Sequence, residues 1–366
     1  MLYKYADIND NFTLNNLINN QLGFNRIENF NDPFDTTPAA FIKKENIINY
    51  ILSVPTIPNN VKQEIFHLSE KELKNIFLET IRKPIFTANK GITCFSETND
   101  NILMWSHYSN NHKGICLGFD INEENLDDFI NTAKNINNNI FNSKTVYRLF
   151  TIKYSNNRPV LNLFNINNPT EEYKQIENML ITKSNIWKYE KEHRIIIYNG
   201  KNISFPTGIY YNRKYLKEII LGANLSINDF LKLYNTIKSF DINIQICLTN
   251  KEIYKLNLYP MDNNHIKILY KNLTFLKLLS QSNNEFNLSI LNLNKTFNDE
   301  VLYHLHQILN NIPLNILNKI FDKIPLSNII SFYPIIYKES IQNFNVANIN
   351  FLLSFLSSIA SYSKYL

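Results

Sequence analysis

Two periods of apolar spacing run through the first 260 residues, and they mark two kinds of element. Residues 2–5 (LYKY) and 22–24 read as short strands. Between them Thr13 is placed to cap a helix that runs to about residue 20. A polar turn, Asn31-Asp32-Pro33-Phe34-Asp35, follows. Over residues 61–82 the positions Ile65, Leu68, Leu73, Ile76, Phe77 and Ile81 recur at helical spacing, which predicts one helix. Further strands are predicted at 92–96, 115–119, 145–154, 194–198 and 217–221. Helices are predicted at 102–109, capped by Asp100, and at 171–183 and 227–239, with a polar helix and loop at 122–143. Ile242, Ile244, Ile246 and Leu248 alternate with other residues, the mark of a strand with one apolar face. Helices and short strands mix without regular βαβ winding, which is the α+β class.

After about residue 262 the character changes, and stretches such as 299–322 and 348–362 show helical periodicity. Pro313, Pro325 and Pro334 divide the stretch into short helices. In the last of them, 349–362, Ile349, Leu352, Leu353, Leu356 and Ala360 share one face, with Ser354, Ser357, Ser358 and Ser361 opposite. The expected architecture is an α+β core over 1–261, built on a mixed sheet of short strands, and an all-helical C-terminal region over 262–366. The apolar faces of that region are expected to pack internally; closure of a dimer is the alternative, so oligomeric state stays open.

Composition narrows the classes. A chain of 366 residues is long for one domain, and 44 % hydrophobic residues, with 25 Phe and 21 Tyr, exclude a mainly disordered protein. Seven Gly and no GxGxxG or GxxxxGK[ST] argue against a glycine-rich nucleotide fold. Roughly one residue in six is Asn, so an individual Asn carries little information. The net charge of +5 permits a nucleic-acid partner without demanding one, because no tight Lys/Arg block occurs. Cys94, Cys116 and Cys247 form no CxxC, so a reducing cytoplasm is expected rather than a disulfide scaffold. The opening MLYKYADIND lacks an apolar signal segment, and no 18-residue apolar run is present, so no membrane association is expected.

Four segments are distinctive together: LYKY (2–5), FNDPFD (30–35), ITCFSETNDNILMWSHYSNNHKGICLGFD (92–120) and WKYEKEHRII (187–196). In order and spacing they resemble a bacterial domain family of unknown function that recurs in defence-associated loci and includes abortive-infection proteins of the AbiGi type. The resemblance covers roughly residues 1–258 and implies antiphage defence or toxin-like activity, with an antitoxin or defence protein as a partner. The strand LYKY, the helix TLNNLINN and the strand QLGF also resemble the opening of ADP-ribosyltransferase folds. That resemblance implies a dinucleotide contact at Lys4 or Tyr5, a serine at Ser96 and a Glu-x-Glu at Glu190 and Glu192, with NAD as substrate. The strand position that is Arg or His in those folds is Lys4 here.

The residues themselves leave several chemistries open. In extended backbone Glu190 and Glu192 share a face, about 7 Å apart in Cα. Two such carboxylates repel and raise the pKa of one unless a cation intervenes. They suit a ribose hydroxyl and the deprotonation of a nucleophile, or else a charge run in which Glu192 pairs with Arg194 or Lys191. Ser96 serves a ligand or a backbone group at its strand end. Asn31, Asp32 and Asp35 form Asx-type turns around Pro33-Phe34, or join the glutamates in binding Mg²⁺ for phosphodiester cleavage. Cys94, His107, His112 and Cys116 have a spacing that fits no common structural zinc module, and no metal is expected. Trp105 and His107, with Tyr3, Tyr5, Tyr108 and Trp187, supply an aromatic wall for a base or nicotinamide ring, or for ordinary packing. Three functions follow. One is an NAD-using transferase toxin acting on a protein or nucleic-acid acceptor, with Glu192 and Glu190 catalytic and Lys4, Tyr5, Ser96, Trp105, His107, Asn31, Asp32, Asp35 and Arg194 binding. The others are a metal-dependent nuclease and a non-catalytic sensor or binding module.

Overall fold

The computed structural model describes residues 1–36, 44–53, 57–77, 90–160, 169–198 and 205–264, with scattered positions outside these ranges as far as residue 330. The expected helix at 349–362 and most of the expected helical region 262–366 lie outside the described residues. Among the described residues the strands are, in chain order, β1 (Leu2–Ala6), β2 (Gln21–Phe24), β3 (Lys90–Ser96), β4 (Ile115–Phe119), β5 (Val146–Thr151) and β6 (Lys153–Ser155). They continue with β7 (Thr182–Ser184), β8 (Glu192–Tyr198), β9 (Thr207–Tyr210), β10 (Leu216–Leu221), β11 (Asn243–Thr249) and β12 (Leu256–Met261). The class is α+β. No helix among the described residues is long and apolar enough to cross a membrane.

The chain forms two compact units, each assembled from separated segments. The first comprises residues 1–2 with Asn20–Thr98 and Asp120–Tyr215. At its centre β8 lies between β3 and β5, antiparallel to both, so that Ile195 is opposite Thr93 on one side and Leu149 on the other. Ile195, Ile196 and Ile197 are fully buried, and a run of three apolar residues is what a strand covered on both faces requires. Ile27, Ile92, Ile152, Met179, Leu180, Ile181 and Ile196 form one core of this unit. A second core gathers Ile47, Ile51, Ile65, Leu73 and Phe77 from its helical segments.

The second unit comprises Tyr3–Asn19, Asn99–Phe119 and the chain from Leu216 onward. Its strands run in the order β12-β11-β10-β4-β1, parallel between β10 and β11 and antiparallel between β11 and β12 and between β10 and β4, which is a mixed sheet. The helix Ile227–Ile237 buries Ile227, Phe230, Leu231, Leu233, Tyr234 and Ile237, and Ser226 caps it by accepting from the Asp229 N–H. Gly114 and Gly222 sit where backbones nearly touch: a Cβ on Gly114 would lie 2.1 Å from the Ala6 carbonyl oxygen, and one on Gly222 2.2 Å from that of His112. Only a residue without a side chain fits there.

Several element boundaries differ from the sequence expectation, each for a local reason. The helix expected over 61–82 is two helices, Asn59–Glu64 and Glu70–Ile76, separated by a 3-10 turn at Ile65–His67. Ser69 and Glu72 form a reciprocal capping box that restarts the helix, a stronger signal than the continuing apolar stripe. The cap of Ile102–Tyr108 is Asn101 rather than Asp100, its side-chain oxygen accepting from the N–H groups of Leu103 and Met104. The single strand expected over 145–154 is β5 and β6, broken at Ile152 where the chain changes partners: Ile152 N–H donates to Glu192 O and Lys153 N–H to Ile181 O. The helix expected to reach 183 is Pro169–Leu180, and Lys183 belongs to β7.

Candidate functional site

The first unit holds a buried cluster of charge, and the local sequence explains how it assembles. The helix Pro169–Leu180 stops and β7 follows, paired parallel with β6, so Lys183 extends from a strand beside Tyr154. A 3-10 turn, Asn185–Glu190, then leads to Lys191, whose φ of 44° and ψ of 54° place it in the left-handed region. That reversal ends the turn and lets Glu192 begin β8. Glu190 and Glu192 therefore do not lie along one extended strand. Both nevertheless reach Lys183, whose Nζ is 2.5 Å from Glu190 Oε2, 3.0 Å from Glu192 Oε2 and 3.6 Å from Asp35 Oδ2.

Arg194 completes the network. Its Nε donates to Glu192 Oε1 at 2.6 Å and its Nη2 to Glu192 Oε2 at 3.1 Å. On Asp35 its Nη1 and Nη2 form a two-pronged pair at 3.0 and 2.6 Å, and Nη1 also donates to the Leu180 carbonyl at 2.8 Å. Asp35, Lys183, Glu190, Glu192 and Arg194 are all buried. Burial alone would raise the Glu192 carboxyl pKa, but the Arg194 guanidinium and the Lys183 ammonium hold it down at about 2. Burial likewise works against the charge on Lys183, yet Glu192, Glu190 and Asp35 hold its pKa above the ordinary lysine value. The repulsion expected between the two glutamates is thus removed by an intervening cation.

Neighbouring groups fix this arrangement. Ser96 is opposite Glu192 in the β3–β8 register, and its hydroxyl donates to the Glu190 carbonyl at 2.6 Å while accepting from the Thr98 N–H. The Tyr154 hydroxyl accepts from the Glu192 N–H at 2.8 Å, and burial pushes its pKa up to about 12. Asp32 does two things: Oδ1 accepts from the Phe34 N–H in an Asx turn, and Oδ2 accepts from Trp187 Nε1 at 2.7 Å. The Trp187 ring lies under Lys183 Nζ at 5.1 Å and the Phe30 ring near the Arg194 guanidinium at 5.2 Å. Asn31 is exposed.

The structure therefore brings together Asp32, Asp35, Ser96, Glu190, Glu192 and Arg194, all in the first unit. Lys4, Tyr5, Trp105 and His107 belong to the second unit. There Trp105 is fully buried, donating from Nε1 to the Asn99 carbonyl and meeting Tyr5 edge to face at 5.2 Å, while His107 is exposed. Cys94 is in the first unit and His107, His112 and Cys116 are in the second. Among the described residues no group of three or more His, Cys, Asp or Glu is placed to hold a metal ion. The residue that sequence reasoning missed is Lys183. Its signal was a single cation in ITKSN after a buried helix end, which reads equally well as a solvated last turn.

Residues 104–195 match the model of a family described as a protein of unknown function, DUF2971. The DUF2971 match includes Lys183, Glu190, Glu192 and Arg194, whereas Asp35 and Ser96 precede it. No curated protein and no solved structure matches the chain.

Proposed function

We propose that this chain is an effector of antiphage defence, of the abortive-infection kind, whose centre is an NAD-using, ADP-ribosyltransferase-like site built on the buried cluster. The observation that carries the reading is the charge count: three carboxylates, Asp35, Glu190 and Glu192, face two cations, Lys183 and Arg194, in a buried setting. A surplus negative charge away from water favours a cationic reacting centre. Transfer from NAD develops one at the ribose carbon as neutral nicotinamide leaves. Glu192, held ionised by Arg194 and Lys183, is the carboxylate that polarises this ribose. Glu190 activates the acceptor, a protein or nucleic-acid group, and Ser96 acts as a positioning residue through its bond to the Glu190 carbonyl. Trp187 offers a ring face beside the cluster.

A metal-dependent nuclease is less well supported, because the Lys183 ammonium occupies the point where the three carboxylates converge. A non-catalytic binding module has one observation in its favour: both oxygens of Glu192 are bound to cations of the same unit. Incubation of the full chain with NAD, following nicotinamide by chromatography, separates these readings. The transferase reading expects release by the wild type and loss of release in Glu192→Gln, with the circular-dichroism spectrum preserved. A wild type that leaves NAD intact, or a folded Glu192→Gln that releases nicotinamide at the wild-type rate, overturns it.

A further inference from the structure

On the opposite face of the β3-β8-β5 sheet from Glu192 and Arg194, His193 of β8 meets Thr151 of β5 on one side and Glu97, the residue after β3, on the other. His193 points away from the charged cluster because strand residues alternate. It is opposite Phe95 on β3 and Thr151 on β5. Glu97 follows β3 directly, and its backbone is pinned by donation of its N–H to the Lys191 carbonyl at 3.1 Å. Glu97 Oε1 lies 2.8 Å from His193 Nε2, and Thr151 Oγ1 lies 3.3 Å from His193 Nδ1.

A carboxylate on Nε2 selects, for the neutral ring, the tautomer with its hydrogen on Nε2, and in that tautomer Nδ1 presents its lone pair to the Thr151 hydroxyl. A carboxylate fixing the tautomer, an imidazole as base and a hydroxyl as nucleophile is the arrangement that activates an alcohol for acyl transfer. The exposures fit those roles: Thr151 is exposed, and the His193 side chain keeps only 14 % of its surface open. The β-branched Thr151 has few rotamers, which holds its hydroxyl toward the ring.

We propose that Glu97, His193 and Thr151 form a second reactive site, independent of the buried cluster, that takes carboxylic esters or comparable acyl and phosphonyl electrophiles. Thr151 Oγ1 attacks the electrophilic carbon as its proton passes to His193 Nδ1. The ester's C–O bond breaks, the alcohol leaves with that proton, and an acyl-threonine remains for water to hydrolyse. Thr151 and His193 are the catalytic residues, and Glu97 is a positioning residue.

The test uses the full chain and an alkyl fluorophosphonate, with intact mass and peptide mapping as the readout. Attack by Thr151 forms a P–O bond, breaks P–F and releases fluoride, with the proton taken by His193. The expected result is one adduct on Thr151 in the wild type, retained in Thr151→Ser and absent in Thr151→Val, which keeps the side-chain shape. Labelling in His193→Gln should be slower by about a hundredfold or more, the usual contribution of a general base. Glu97→Gln should move the pH dependence of labelling, because an amide no longer favours the Nε2–H tautomer; a side chain that merely braced the sheet would leave that profile in place. No adduct at Thr151 in the wild type, or undiminished labelling in folded His193→Gln, overturns the proposal. Neither outcome bears on NAD consumption, since Glu192 is untouched.

Discussion

The charge state of Glu192 follows from which groups surround one carboxylate, and it makes stability depend on pH. The ordinary pKa of 4.5 is drawn down to about 2 in the folded chain, so the unfolded chain takes up this proton first as pH falls. Its contribution is complete above about pH 4.5 and is lost as pH falls toward about 2. The urea midpoint of the wild type should therefore fall between about pH 5 and about pH 3, and that of Glu192→Gln should fall less steeply. Equal slopes in the two proteins would show that Glu192 is not held by cations. Arg194 offers a harsher test. Arg194→Met leaves Asp35 and Glu192 with Lys183 as their one shared cation and removes every guanidinium contact, which costs on the order of 3–5 kcal/mol for a buried pair broken on one side. Arg194→Lys should recover little of this, because an ammonium cannot reproduce two two-pronged contacts. Denaturant unfolding of the three proteins gives the comparison directly.

At the scale of elements, the left-handed residue between the 3-10 turn and β8 does as much as any side chain. Lys191 holds a positive φ without being glycine, a conformation that costs an L-residue roughly 1–2 kcal/mol. Lys191→Gly should leave the melting temperature unchanged or raise it slightly, whereas Lys191→Val should lower it by several degrees, since branching at Cβ makes that region worse. Glu190 and Glu192 reach one ammonium because of this reversal. The strand alternation expected from the sequence also places two glutamates together, but by a different route, and it does not anticipate Lys183. The same limit explains 61–82, where an apolar stripe of one period conceals a capping box that starts a second helix at Glu70.

For the molecule as a whole, the proposed defence role has a phenotype. Expressed alone in a bacterial host, the wild type should arrest growth, and Glu192→Gln at equal abundance should be tolerated. Toxicity that survives the substitution would remove Glu192 from the activity. The cluster draws on residues from 32 to 194, all within one of the two units, and each unit is assembled from separated stretches of chain. A boundary read along the sequence is contiguous by construction, so interleaving of this kind was invisible to it.

The sequence by itself determined the α+β class and the approximate strands at 2–5, 115–119, 217–221 and 242–248. These are local properties: period, turn chemistry and composition act within a few residues of one another. Only the tertiary structure decided that Lys183 sits among Asp35, Glu190 and Glu192, that Arg194 grips Asp35 across 159 positions of chain, and that Glu97 and Thr151 both meet the His193 ring. Such contacts depend on strand register and on which segments pair, and a buried charge is stable only where that pairing supplies its partner. A lysine in ITKSN carries no mark of its burial until β7 and β8 have been laid beside it.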